Sequence, residues 1–96
     1  MLTIPRNAPS TAREADPQAL ALSALGWILS DGDRAERLLA LTGLTPDALR
    51  EGLGRREVLG AVLEFLAGHE PDLLAAAGEL GVSPQALADA ARRIGA

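Results

Sequence analysis

The sequence predicts an all-α protein, a compact bundle of six helices arranged as two related three-helix halves. Apolar residues recur at helical spacing in six stretches, and residues typical of helix starts and stops separate these stretches. A short motif also recurs at an offset of 38 residues. β-Branched residues are few and nowhere alternate over a useful length, so no strand is expected.

The first helix is predicted over residues 17–30. Asp16 followed by Pro17 is typical of an N-cap with proline at the first helical position. Apolar side chains cover nearly the whole circumference of this helix, which predicts burial on more than one side. These side chains are Leu20, Leu22, Ala24, Leu25, Trp27, Ile28 and Leu29.

The second and third predicted helices are short. The second covers residues 33–42 and ends at Gly43, which is interpreted as a left-handed cap. The third follows the N-cap Thr45, has Pro46 as its first residue and is closed by Gly52 and Gly54. The side chains expected to face inward are Leu38, Leu39, Leu41, Ala48, Leu49 and Leu53.

The remaining helices are predicted over residues 55–67, 71–80 and 84–94, with Gly81 ending the fifth and Ser83 starting the sixth. Their inward faces carry Val58, Leu59, Val62, Leu63, Leu66, Leu73, Leu74, Ala77, Leu80, Leu87, Ala90, Ala91 and Ile94. Across all six helices, the residues that we expect to be most important to the core are Leu25, Leu49, Val62, Leu63 and Leu87.

An internal repeat relates the two halves. Gly43–Leu49 matches Gly81–Leu87 position by position, and the same offset pairs Trp27 with Phe65, the only aromatic residues apart from His69. Two copies are too few for a stable solenoid, so the halves are expected to close on each other about a pseudo-twofold axis.

The repeat also sets the predicted domain organisation. Residues 1–15 are expected to form a flexible tail, because this stretch has little that could pack. Residues 16–96 then form a single helical domain, with the repeat dividing it into 16–53 and 54–95.

The composition limits the classes of function. The chain has 96 residues, nine arginines, no lysine, 13 carboxylates and a net charge of −4. The absence of cysteine excludes a disulfide scaffold and thiolate chemistry. No apolar run approaches the ~20 residues of a membrane span, and the acidic balance weighs against nucleic acid. The start lacks the pattern of a secretory signal, so a cytoplasmic protein with no membrane contact is expected.

The sequence contains few residues of the types that catalyse reactions or bind metal ions. His69 is the only histidine, and beside Glu70 and Asp72 it is interpreted as a solvated turn residue. Asp31 and Asp33 lack the later ligands of a calcium loop, so helix capping explains them better. We therefore expect no enzyme, no cofactor, and no catalytic, cofactor-binding or metal-ligating residues.

Protein contact is the function that remains. The first helix has more apolar surface than a small domain easily buries, which predicts contact with another protein or self-association, a homodimer included. Whether Trp27 belongs to the core or to an interface stays open, since helical spacing favours the core and large aromatics often anchor interfaces. The candidate contact residues are Leu22, Leu25, Trp27 and Leu29.

A DNA-binding regulator is the alternative. Ser83–Ala88 after Gly81 resembles the turn and second helix of a helix-turn-helix unit, and Arg92 and Arg93 follow. A recognition helix reads bases mainly with its N-terminal residues, and of those only Gln85 is suited to a base edge. Nucleic acid is thus the less favoured partner.

Three stretches resemble a known family: Ala19–Leu29, Leu38–Arg50 and Val58–Leu66. Together with the acidic turn and Leu-Leu-Ala helix that follow, they resemble the alphaproteobacterial family of small proteins called domain of unknown function 3572. The resemblance covers residues 16–95. It implies a short, helical, cytosolic bacterial protein, and it assigns no catalytic or binding role to any residue.

Overall fold

The computed structural model describes residues 16–95, and six helices account for most of this range, which contains no strand. The predicted all-α class is therefore confirmed, while the predicted tail over residues 1–15 lies outside the described residues. The helices are α1 (Pro17–Leu29), α2 (Gly32–Thr42), α3 (Pro46–Glu51), α4 (Arg56–Ala67), α5 (Glu70–Leu80) and α6 (Pro84–Gly95).

Short polar side chains start three of the helices as predicted. The Asp16 carboxylate accepts hydrogen bonds from the backbone N–H groups of Gln18 and Ala19, at 3.1 and 3.3 Å. The hydroxyls of Thr45 and Ser83 each accept one from the N–H three residues onward, both at 3.0 Å. These bonds satisfy donors that the first turn of a helix otherwise leaves unpaired.

Two glycines end α2 and α5 in the left-handed conformation. Gly43 has φ of 76° and Gly81 has φ of 72°, a region that other residues enter at a cost. Each glycine N–H donates to a carbonyl of the last helical turn, which is the geometry of a left-handed cap.

The core lies where α1, α4 and α6 meet. α4 packs most extensively against α6, and α1 packs on both and also contacts α2 and α5. All five predicted core residues are buried, with exposed fractions of 0 to 5% for Leu25, Leu49, Val62, Leu63 and Leu87. The buried residues of α1, which are Leu20, Ala21, Ala24, Leu25 and Ile28, share one broad face. Leu22 and Leu29 on the opposite face are exposed, so the expectation that α1 is buried on more than one side is wrong.

Three leucines predicted to face inward are exposed instead, Leu41 by 60%, Leu53 by 42% and Leu74 by 51%. Leu53 lies in the turn after α3, where no helix places it against the core. On α2 only Leu38 is buried, because that helix contacts its neighbours along a narrow stripe that excludes Leu41. On α5 the inward stripe has a spacing of three and four residues and consists of Leu73, Ala76, Ala77 and Leu80. Leu74 lies outside this stripe.

The helix bounds follow the offset of 38 residues closely. Residues 32–42 of α2 correspond to 70–80 of α5, and α3 starts at Pro46 where α6 starts at Pro84. The third helices then differ, because α3 has six residues and α6 has twelve. The pseudo-twofold arrangement of the halves stays a prediction.

Candidate functional site

An apolar groove lies between α1, α2, α3 and the turn after α3. It has a volume of about 390 Å³ and is lined by Leu25, Leu29, Ala35, Leu39, Pro46, Leu49, Arg50 and Leu53. We call this surface the leucine groove. Seven of its eight lining residues are apolar, and Arg50 supplies the only charge. The lining is therefore suited to bury apolar side chains.

The floor and the walls of the leucine groove differ in exposure. Leu25 and Leu49 are buried, with exposed fractions of 3% and 5%, and form part of the core. Leu29 and Leu53 are exposed by 48% and 42%. A groove with a buried floor and half-exposed apolar walls presents surface that a partner can remove from water.

α3 ends after six residues, and the turn that follows supplies Leu53 to the groove. Gly52 follows α3 and packs tightly on the start of α4, so that a Cβ atom at Gly52 would overlap Cγ2 of Val58. The same atom would come within 2.9 Å of the Ala48 carbonyl oxygen. This close approach needs glycine at position 52, where α3 has ended and the chain leads to α4.

The structure brings together three of the four predicted contact residues. Leu25 and Leu29 line the leucine groove, Leu25 from the buried floor and Leu29 from the exposed wall. Leu22 is exposed by 43% and lies seven residues before Leu29, on the same face of α1. Gly26 is exposed between them, with open space where a side chain would stand. The apolar face of α1 thus continues beyond the groove.

Trp27 lies on another side of α1 and does not line the leucine groove. It is half-buried and packs against the core. The Arg34 guanidinium lies 3.8 Å from the centre of its ring, a cation–π contact. Arg34 Nη2 also donates to the Trp27 carbonyl oxygen at 2.8 Å and to the Ser30 hydroxyl at 3.0 Å. The exposed aromatic face is therefore covered by the chain's own arginine.

The helix-turn-helix alternative concerns α5, the turn at residues 81–83 and α6. A polar hollow of about 490 Å³ is lined there by Ser83, Gln85, Ala86, Asp89, Arg92 and Arg93. The Asp89 carboxylate accepts a hydrogen bond from Arg92, which partly neutralises this arginine. Asp89 also places a negative charge where a recognition helix would approach phosphates.

His69 differs from its predicted position as a solvated turn residue. It is half-buried before α5, and its ring stacks on Phe65 with centroids 5.2 Å apart and an angle of 27° between the planes. Within residues 16–95, no three His, Cys, Asp or Glu side chains are grouped so that they could hold a metal ion. None of the helices in that range is long and apolar enough to cross a membrane.

The sequence pattern missed several walls of the leucine groove. The pattern predicted Pro46 to start a helix, and it predicted Leu39 and Leu53 to face inward. The groove arises from the way in which α2 and α3 meet α1. A local signal for it does exist. Leu53 stands between two glycines, where a leucine has no helix to bury it.

The sequence profile of the family described as "Protein of unknown function (DUF3572)" matches residues 14–96. The chain belongs to this family, as its three characteristic stretches indicated. No curated protein and no solved structure matches the chain.

Proposed function

We propose that this member of the DUF3572 family is a non-catalytic adaptor or regulatory protein that binds another protein through the leucine groove. The observation that carries the proposal is the pair of half-exposed walls, Leu29 and Leu53, over a floor of buried leucines. Small domains bury a limited share of their apolar surface, so a continuous apolar groove favours a role in contact.

The energetics favour a modest and reversible contact. Full burial of a leucine contributes about 1.5–3 kcal/mol, so completing a half-made burial contributes roughly half as much. The walls Leu29 and Leu53, with Leu22 beside them, therefore offer a few kcal/mol before the costs of association. Such a surface supports regulated binding better than a permanent complex.

Photo-crosslinking from the groove walls tests the proposal. A photoreactive phenylalanine analogue at position 29 or 53 is expected to form adducts with another polypeptide in the native cell. The matched control is position 74, a leucine of similar exposure on α5 that lies outside the groove. Adducts from all three positions alike, or none from positions 29 and 53, would contradict binding through the groove.

The DNA-binding alternative has a separate test. The protein is expected not to retard duplex DNA at low salt, because the hollow on α6 carries Asp89 beside its arginines. A salt-sensitive shift lost on Gln85→Ala and Arg93→Ala would instead favour the helix-turn-helix reading. The proposal also includes action in the cytoplasm.

A further inference from the structure

Arg50 supplies the only charge among the residues that line the leucine groove, and the other seven lining residues are apolar. It lies in the last turn of α3, and its Nη1 donates to the Asp47 carboxylate at 2.8 Å. No carboxylate from residues 16–95 is part of the lining. The groove therefore combines an apolar surface with one positive charge, which favours an apolar ligand that carries a negative charge.

The ion pair with Asp47 does not prevent Arg50 from binding a second carboxylate. The two side chains are three residues apart on one helix and are exposed by 71% and 80%. Exposed pairs of this kind contribute little to stability, so their rearrangement costs little. A guanidinium also has five N–H donors in a planar fork, enough for two carboxylates at once.

The size of the groove matches one alkyl chain of moderate length. Its volume of about 390 Å³ lies at the lower end of the range for small-molecule sites. A methylene group takes nearly the ~30 Å³ that a water molecule occupies in the liquid, so the groove holds about a dozen such groups. The lining is compact, because α1 and α2 each contribute two residues spaced four apart. A longer chain would project into solvent.

Two other hollows suit an alkyl carboxylate less well. The hollow between α2 and α4, of about 430 Å³, is lined by Leu41 and Phe65 but also by Glu64, which repels an anion. The hollow on α6 contains Arg92 and Arg93, but its lining is mostly polar and gives an alkyl chain little apolar surface. The leucine groove meets both requirements, apolar contact and positive charge.

We propose that the leucine groove binds a free fatty acid of medium chain length, about eight to twelve carbons. The alkyl chain lies on the leucines, and the carboxylate, which is ionised at neutral pH, binds the Arg50 guanidinium. This inference goes beyond the proposed function, because a small molecule fills the groove without any protein partner. Both occupants need the walls Leu29 and Leu53, so a bound fatty acid excludes the partner.

NMR of isotope-labelled leucine methyl groups tests where the ligand binds. The protein is titrated with octanoate, decanoate and dodecanoate, each below the concentration at which it forms micelles. The methyl signals of Leu29, Leu39 and Leu53 are expected to shift, and those of Leu41 and Leu74, which are exposed outside the groove, are expected to stay. Affinity is expected to rise about two- to fourfold for each added methylene group until the groove is full.

Charge variants test the role of Arg50. Arg50→Gln is expected to weaken decanoate about three- to tenfold at low salt and to leave decyl maltoside, a neutral probe with the same chain, unchanged. Arg50→Lys keeps the charge and is expected to retain most of the affinity. The matched control is Arg92→Gln, since Arg92 forms an equivalent ion pair with Asp89 on α6, outside the groove. It is expected to change the affinity for neither probe.

The possible results separate this inference from the proposed function. Equal shifts at all the exposed leucines, or no shift at the groove walls, would overturn the fatty-acid site. An Arg50→Gln variant that binds decanoate as tightly as the parent would also overturn it, because the carboxylate would then have no partner in the groove. The proposed function would fall on a different result, the absence of polypeptide adducts from positions 29 and 53.

Discussion

α3 and α6 begin alike and end differently. Each follows a left-handed glycine, a hydroxyl N-cap with a bond of 3.0 Å, and a proline at the first helical position. α3 stops after six residues with only Leu49 buried. α6 continues for twelve residues and buries Leu87, Ala90, Ala91 and Ile94 against α1 and α4.

The residues after the shared start explain the difference. At the positions where α6 has Ala90 and Ala91, the first half has Gly52 and Leu53. Ala90 and Ala91 are buried in the core, and α6 lies so close to α4 that a Cβ atom at Gly60 would stand 3.4 Å from Cγ2 of Ile94. Gly52 instead turns the chain and leaves Leu53 exposed beside the groove. One helix thus completes the core, and the other leaves an apolar surface open.

The largest expected difference between the two helices is in the cost of removing their buried leucine. Leu87→Ala is expected to lower the free energy of unfolding by about 4 kcal/mol, and Leu49→Ala by about 2 kcal/mol. The reason is that Leu87 on α6 is enclosed, whereas Leu49 on α3 adjoins an open groove. Chemical denaturation of both variants measures the two losses. Equal losses would mean that α3 is as firmly packed as α6.

Gly52→Ala tests why α3 ends where it does. The new Cβ atom would overlap Val58 and approach the Ala48 carbonyl, so a loss of roughly 1–3 kcal/mol is expected from overpacking. Gly54→Ala is the control, because nothing lies within 4 Å of a Cβ atom at that position. Thermal melting of the two variants compares them directly. If Gly52→Ala is as stable as Gly54→Ala, the tight turn is not what ends α3.

Removing the two N-caps is expected to have a smaller effect on stability. It distinguishes the local opening of one helix from the unfolding of the whole domain. Removal of either hydroxyl, in Thr45→Ala or Ser83→Ala, removes a capping bond of about 1 kcal/mol. For Ser83→Ala the loss is expected in the global free energy of unfolding. For Thr45→Ala it is expected mainly as faster amide exchange within α3, since Leu49 is the only residue by which that helix is anchored in the core. Native-state hydrogen exchange distinguishes the two, and a purely global effect at Thr45 would contradict a loosely attached α3.

The features that depend on near neighbours in the chain were predictable. Asp16, Thr45 and Ser83 cap helices through bonds that span two or three residues, and Gly43 and Gly81 end helices by their own conformation. Helix number and bounds followed from these signals. Because both partners of each capping bond lie within a few residues of each other, a short stretch of sequence is enough to predict the end of a helix.

The features that depend on packing were not predictable. Leu73 and Leu74 are adjacent leucines, and which one faces inward depends on how α5 rests on its neighbours. The Arg34 contact on Trp27 crosses the turn between two helices, so periodicity within one helix does not indicate it. The leucine groove needs three helices at once, which is why only its α1 residues, Leu25 and Leu29, were among the expected contacts.

The affinity of the crosslinked partner for two matched variants tests the leucine groove most directly. Leu53→Asp places a charge in the groove wall, and Leu74→Asp places the same charge on a leucine of similar exposure outside it. Both variants are expected to melt near the parent temperature, because neither leucine is buried in the core. In calorimetric titration with the purified partner, Leu53→Asp is expected to lose binding by at least tenfold while Leu74→Asp keeps the parent affinity, a difference of about 1.4 kcal/mol or more. Equal affinities of the two variants would contradict the leucine groove as the binding surface.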